Sequence, residues 1–108
     1  MTDCIFCKII NGDFNTEFVF ENEYLVVFKD INPKADTHLL VVPRLHVESL
    51  NELDDEELLA KLLLGVKKVT KKLGINSYKT LINTGRDAGQ EVFHLHIHIL
   101  AGEMKQWH

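Results

Sequence analysis

The chain is 108 residues long, enough for one small domain, 1–108, with a single core and little room for a second. Its 45% hydrophobic and 26% charged content is ordinary for a globular protein and excludes a disordered polypeptide. The net charge of −4 argues against generic DNA or RNA binding, and no apolar run approaches the roughly 20 residues that span a bilayer. The opening MTDCIFCKIINGD is too short and too polar for a signal peptide, so no membrane partner and a cytoplasmic location are expected.

The first expected element is a short helix over 4–11, with Ile5, Phe6, Ile9 and Ile10 on its apolar side and Gly12-Asp13 as its stop. Cys4-Ile5-Phe6-Cys7 is a C-x-x-C pair, which in a reducing compartment is more often a metal or redox element than a structural disulfide. A thioredoxin-like role is poorly supported, because the pair opens the chain instead of joining a strand to its helix. Zinc takes four ligands, and His46 and His94 are the best remaining donors by type. Strands follow at 18–21, 25–29 and 38–42, the first two joined through Asn22-Glu23 as a hairpin, with Pro33 and Pro43 punctuating the run.

The clearest helix covers 54–73. Asp54 is its expected N-cap, Glu57 completes a D-x-x-E capping box, and Leu53 can pack on Leu58 as a staple. Leu59, Leu62, Leu63, Val66, Val69 and Leu73 recur at intervals of three and four, and Gly74 follows as the stop. Lys67, Lys68, Lys71 and Lys72 complement the negative end of the helix dipole and read as a solvated face. The last strands, 78–83 and 92–101, flank a turn containing Gly85, Arg86, Asp87 and Gly89. Strands and helices do not alternate, so the expected class is α+β, an antiparallel sheet with segregated helices. One long helix covers one sheet face and leaves the other for a ligand or a second subunit.

Within 92–101 lies the run HLHIHIL, which places half of the six histidines within five residues. Successive side chains of a strand point to opposite faces, so Phe93, Leu95, Ile97 and Ile99 can pave a core face while His94, His96 and His98 line the other. Three chemistries suit such a row. Two imidazoles could ligate a metal, a general base could be flanked by anion-binding histidines, or the central imidazole could attack an electrophile.

Taken together these segments resemble the histidine-triad superfamily, in particular its Hint branch of nucleoside phosphoramidases. The triad H-φ-H-φ-H-φ-φ is matched by 94–100, and Gly89-Gln90-Glu91-Val92-Phe93 looks like the family's approach to it. FKDINPKADTHLLVVPRLH is similar to the segment that carries the family's ribose-binding aspartate and first active-site histidine, and CIFCKII matches the start of many bacterial members. The resemblance implies a HIT-like fold, with a five-stranded antiparallel meander sheet, a short N-terminal helix and one long central helix. It implies His96 as the nucleophile that becomes a nucleotidyl-histidine, His98 as the contact to phosphate and leaving group, and His38 as support for that cluster. Asn83 and the backbone at Gly89 correspond to phosphate-holding groups, and Asp30 to the acceptor for the ribose hydroxyls. Ile5, Phe6, Ile9, Phe28, Ile31 and Leu40 map to an apolar slot around a purine.

The chain departs from animal Hint proteins at Glu91, which stands beside the leaving group where they carry serine. The C-x-x-C pair is absent from several Hint members but is similar to the zinc ligands of hexose-1-phosphate uridylyltransferases, where the first triad histidine also coordinates. This supports Cys4, Cys7, His46 and His94 as one structural zinc site. The implied activity is hydrolysis at the α-phosphorus of a purine nucleoside monophosphate derivative (of AMP or GMP), above all the P–N bond of an AMP–amine conjugate, without a catalytic metal. The rivals are a dinucleoside polyphosphate hydrolase of the Fhit type, a non-enzymatic nucleotide-binding adaptor, and a metallohydrolase using the triad. The surplus of leucine in 58–73 and the uncovered sheet edges point to a homodimer, and the resemblance to Hint proteins implies that the tail with Trp107 approaches the partner's active site.

Overall fold

A computed structural model describes residues 3–104. Trp107 and the expectation about the tail lie outside the described residues. The elements run α1 (Ile5–Ile10), β1 (Phe20–Glu21), β2 (Leu25–Lys29), β3 (Ala35–Pro43), α2 (Glu56–Leu73), β4 (Lys79–Leu81) and β5 (Ile97–Met104). The five strands form one antiparallel sheet in the order β1-β2-β3-β5-β4. The α+β class with a five-stranded antiparallel sheet, a short first helix and one long helix is as expected. β5 lies between β3 and β4, so α2 carries the chain across the sheet between those two strands.

The β1–β2 hairpin turns at Asn22, whose side-chain oxygen accepts from the backbone N–H groups of Tyr24 and Leu25 at 2.8 and 3.1 Å. α2 packs one face of the sheet. Leu58, Leu62, Val66 and Val69 bury against Leu25, Val27, Leu39, Val41, Leu95, Ile97 and Ile99. Gly65 faces the same way, and a Cβ there would stand 2.6 Å from a Leu25 methyl, so the helix lies close on β2. The opposite face holds a smaller cluster, Val26, Phe28, Leu40 and Val42 under Phe6 of α1.

Three expectations need correction. The N-cap of α2 is Asp55, whose carboxylate accepts from the Leu58 N–H at 3.1 Å, not Asp54. The residue three places on is then Leu58, and no Asp54–Glu57 box forms. Burial of both Leu53 and Leu58 in one core sets this phase. That phase also turns Leu63 and Leu73 of the expected apolar stripe out to 59% and 43% exposure. Finally, β5 begins at Ile97, not at 92. The segment before it bonds elsewhere, with the Leu95 N–H donating to the Val47 carbonyl at 2.8 Å. Phe93 is consequently 40% exposed beside the Arg86 guanidinium and is no part of the core.

Candidate active site and metal centre

The face of the sheet opposite α2 carries a cleft of about 770 Å³ between α1, the end of β2 and the 83–92 segment. His38, His96 and His98 stand in its wall, each less than a tenth exposed. Sheet register explains the pairing of two of them. His38 lies opposite Leu100, and Leu40 opposite His98, which makes His38 and His98 diagonal neighbours on one face. The His38–His98 and His96–His98 ring centroids are 5.1 and 5.0 Å apart. The His96–His98 spacing is shorter than the roughly 6.5–7 Å between side chains two apart on a flat strand, and His96 lies before β5 begins, outside the strand itself.

The hydrogen bonds assign the protons. His38 Nδ1 accepts from the Lys34 backbone N–H at 3.0 Å, so in the neutral ring Nε2 carries hydrogen. That Nε2–H donates to His98 Nδ1 at 2.9 Å and also stands 3.4 Å from the Asp30 carboxylate. His98 must then hold its own proton on Nε2. His96 has the other tautomer, because its Nδ1 meets the His94 carbonyl at 2.7 Å and a carbonyl can only accept. The lone pair of His96 is left on Nε2. The cleft thus contains one imidazole nitrogen with an available lone pair and, beside it, one imidazole N–H donor.

Burial favours the neutral rings. It depresses His96 and His38 below their ordinary value, and it takes His98, with help from His96 and His38 nearby, down to about 4. An unfolded His98 takes up its proton near 6.5, whereas the folded one resists until about 4, so the unfolded chain binds more protons between those values. Stability is present in full above about pH 6.5 and falls as pH drops toward 4. Urea midpoints across that range should decline with acid, and His98→Asn should make the decline shallower.

The resemblance-derived residues fall around this cluster. Asp30 follows β2 at the cleft edge, and its Oδ1 accepts from the Asn32 N–H at 2.8 Å, which fixes the carboxylate. Ile5, Phe6, Ile9, Phe28 and Leu40 make an apolar wall, and Ile31 stands at the rim, 91% exposed. Asn83, Gly89 and Glu91 line the opposite side. The Asn83 amide donates to the Ala88 carbonyl at 2.8 Å, and Gly89 has φ +91, so this turn presents backbone where a side chain would intrude.

Two contributors had no individual place in the sequence reading. Gln90 is buried, accepts from the Gly85 N–H and donates to the Glu48 and Val92 carbonyls, tying the turn to the loop after β3. Its only signal was its place in the G-Q-x-V-F stretch. Lys34 acts through its backbone N–H on His38, which no side-chain pattern could reveal.

Behind the cleft, Cys4, Cys7, His46 and His94 bring four metal-ligating atoms within 4.8 Å of one another. Cys4 Sγ stands 3.3 Å from His94 Nδ1, Cys7 Sγ 3.3 Å from His46 Nδ1 and 3.6 Å from His94 Nδ1. A tetrahedral zinc with ordinary Zn–S and Zn–N bonds would put sulfur–nitrogen edges at about 3.5 Å, so the donor set fits. His94 is also prepared for it. Its Nε2–H donates to the Pro43 carbonyl at 2.8 Å, which leaves the Nδ1 lone pair facing the sulfurs. Burial, and then Cys4, hold the Cys7 thiol above its usual value, so an ion must displace a proton there. Asp30, His38 and His98 are equally compact, but His38 Nδ1 already accepts from Lys34, and ligation through Nε2 would demand an imidazolate.

No helix among the described residues is long and apolar enough to cross a membrane. Comparison with known proteins agrees with the motif and the geometry. An uncharacterized HIT-like protein of Methanocaldococcus jannaschii is 50% identical over 100 residues, covering 90% of this chain and 77% of that one. The crystal structure of a HIT family hydrolase from Legionella pneumophila superposes with a TM-score of 0.89 at 38% identity, over 97% of each chain. A histidine triad nucleotide-binding protein from Candida albicans gives 0.83 at 37% identity, over 96% of this chain and 76% of that one. With the HIT domain family model matching residues 11–105 as well, the chain belongs to the HIT domain family.

Proposed function

We propose that the protein hydrolyses purine nucleoside monophosphate derivatives at the α-phosphorus, most readily the P–N bond of an AMP–amine conjugate, through a covalent nucleotidyl-His96. The observation that carries this reading is the tautomer of His96, whose Nδ1–H is committed to the His94 carbonyl so that Nε2 offers a lone pair at the cleft. Similarity to the Legionella hydrolase and to the Candida nucleotide-binding protein supports the substrate class.

In the first step His96 Nε2 bonds to phosphorus and the P–N bond breaks. The neutral His98 keeps its Nδ1 lone pair on the His38 Nε2–H, and its own Nε2–H donates a hydrogen bond to the departing nitrogen, which leaves as the amine with a proton taken from solvent. In the second step water attacks phosphorus, the bond to His96 breaks, and the proton released by the water returns to solvent. In this reading the Gly89 backbone and the Asn83 amide hold phosphoryl oxygens, Asp30 accepts from the ribose hydroxyls, and Phe6, Phe28 and Leu40 flank the base, a reading supported by their sharing one cleft with His96. Glu91, exposed at the rim, faces the leaving group in this reading. No step draws on a metal, and the zinc at the cysteines is structural.

The test is turnover of an AMP phosphoramidate beside diadenosine polyphosphates under one set of conditions. The phosphoramidate should have the higher kcat/KM. Preference for the dinucleotides would indicate the Fhit type instead, and binding of AMP without turnover of either would indicate an adaptor.

A homodimer, acting in the cytoplasm, belongs to the same reading. Leu63 and Leu64 of α2 are 59% and 40% exposed, and large apolar side chains left at the helix surface are poorly suited to water. Light scattering at micromolar concentration should give twice the chain mass, and a monomer mass would refute it.

A further inference from the structure

We propose that metal binding at Cys4, Cys7, His46 and His94 latches α1 onto the sheet and thereby completes the nucleotide cleft, so that nucleotide affinity depends on the metal. The inference rests on the nucleotide reading of the cleft and adds a control on that same site.

α1 has little else to hold it. It is six residues long, and a helix of that length is marginal by itself in water. The backbone bonds at its ends are local, from Lys8 to Cys4, Asn11 to Cys7, Gly12 to Ile9 and Asp13 to Lys8. Its attachment comes from burial of Phe6, partial burial of Ile9 and Ile10, and the two cysteines that bracket Phe6. Those cysteines meet His46 beyond β3 and His94 before β5, segments already joined by the Leu95–Val47 bond. An ion shared by all four would therefore bind α1 to both at once.

The same helix forms one wall of the cleft. Ile5, Phe6 and Ile9 face into it, and the Phe6 ring packs edge-on against His96 and Phe28 at 5.1 and 5.6 Å between centroids. None of the four ligating residues lines the cleft itself. The carbonyl of His94 holds His96 Nδ1, so the latch also reaches the attacking ring. Release of α1 removes the apolar wall for the base and uncovers His96. If the metal-free protein keeps α1 docked for only a tenth of the time, its apparent Kd rises about tenfold.

The experiment compares zinc-loaded protein with the same protein after chelation and after zinc is restored. It measures AMP affinity by calorimetry and amide exchange along the chain. Chelation should weaken AMP binding about tenfold or more and speed exchange in 4–12, while α2 and β3 stay protected. Zinc should restore both, and Cys7→Ser should behave as the chelated form does. Unchanged AMP affinity and unchanged exchange in α1 would overturn the latch. So would exchange that rises in the sheet as much as it does in 4–12, which would make the metal a general stabiliser and not a latch on α1, or failure of the protein to take up zinc. A zinc-loaded protein that does not bind AMP at all, yet shows local release of α1 on chelation, would overturn the nucleotide reading and keep the mechanical one.

Discussion

His96→Ala is expected to lower turnover of an AMP phosphoramidate by about a thousandfold or more while leaving the protein folded. The magnitude follows from the role, because removal of the nucleophile in a double displacement leaves only binding and electrostatic help. The ring is buried at the cleft wall, bonded to the His94 carbonyl and packed against Phe6 and His98, and none of these contacts joins α2 to the sheet. The far-UV spectrum and a cooperative melt should therefore survive the substitution. His96→Gly should behave in the same way. A folded His96→Ala protein with near-normal turnover would end the covalent mechanism, whatever its substrate.

The largest effect on stability should come from the metal centre. Purified protein is expected to carry about one zinc per chain, and Cys4→Ser or Cys7→Ser should lose it. Structural zinc contributes on the order of 10 kcal/mol in zinc-finger peptides. Here the sheet and α2 have a core of their own, so a smaller loss, about 3 kcal/mol, is expected. In a domain of this size that lowers Tm by more than about 10 °C, with the transition still cooperative. Metal analysis together with calorimetric melts of wild type and both variants measures this directly. A native preparation without zinc, or serine variants that melt with wild type, would remove the site and leave the hydrolase reading in place.

What could be read in the residues, and what could not, divides along physical lines. The histidine run was legible because a strand alternates faces, and Leu95, Ile97 and Ile99 do bury on the α2 side while the three histidines turn away from it. Cys4, Cys7, His46 and His94 could be grouped by ligand chemistry, and the fold brings their donor atoms together from across the chain. Phase was harder. Two adjacent aspartates before α2 compete as caps by propensity, and tertiary burial of Leu53 and Leu58 chose Asp55. Phe93 fitted the alternation but lies before β5 begins, where the Leu95–Val47 bond redirects the chain.

The proton positions were beyond any sequence pattern. They are set by the Pro43 and His94 carbonyls and the Lys34 N–H, backbone groups whose placement exists only in the fold. Those groups decide that His96 carries its lone pair at the cleft, His98 its proton, and His94 its lone pair toward the cysteines.

The covalent intermediate is the most direct test. Wild-type protein mixed with an AMP phosphoramidate, quenched within the first turnover and digested, should yield an adenylylated peptide in mass spectrometry, with the added mass on His96. Turnover that proceeds with no adduct at early times, or an adduct on any other residue, would contradict the assignment of His96 as the nucleophile.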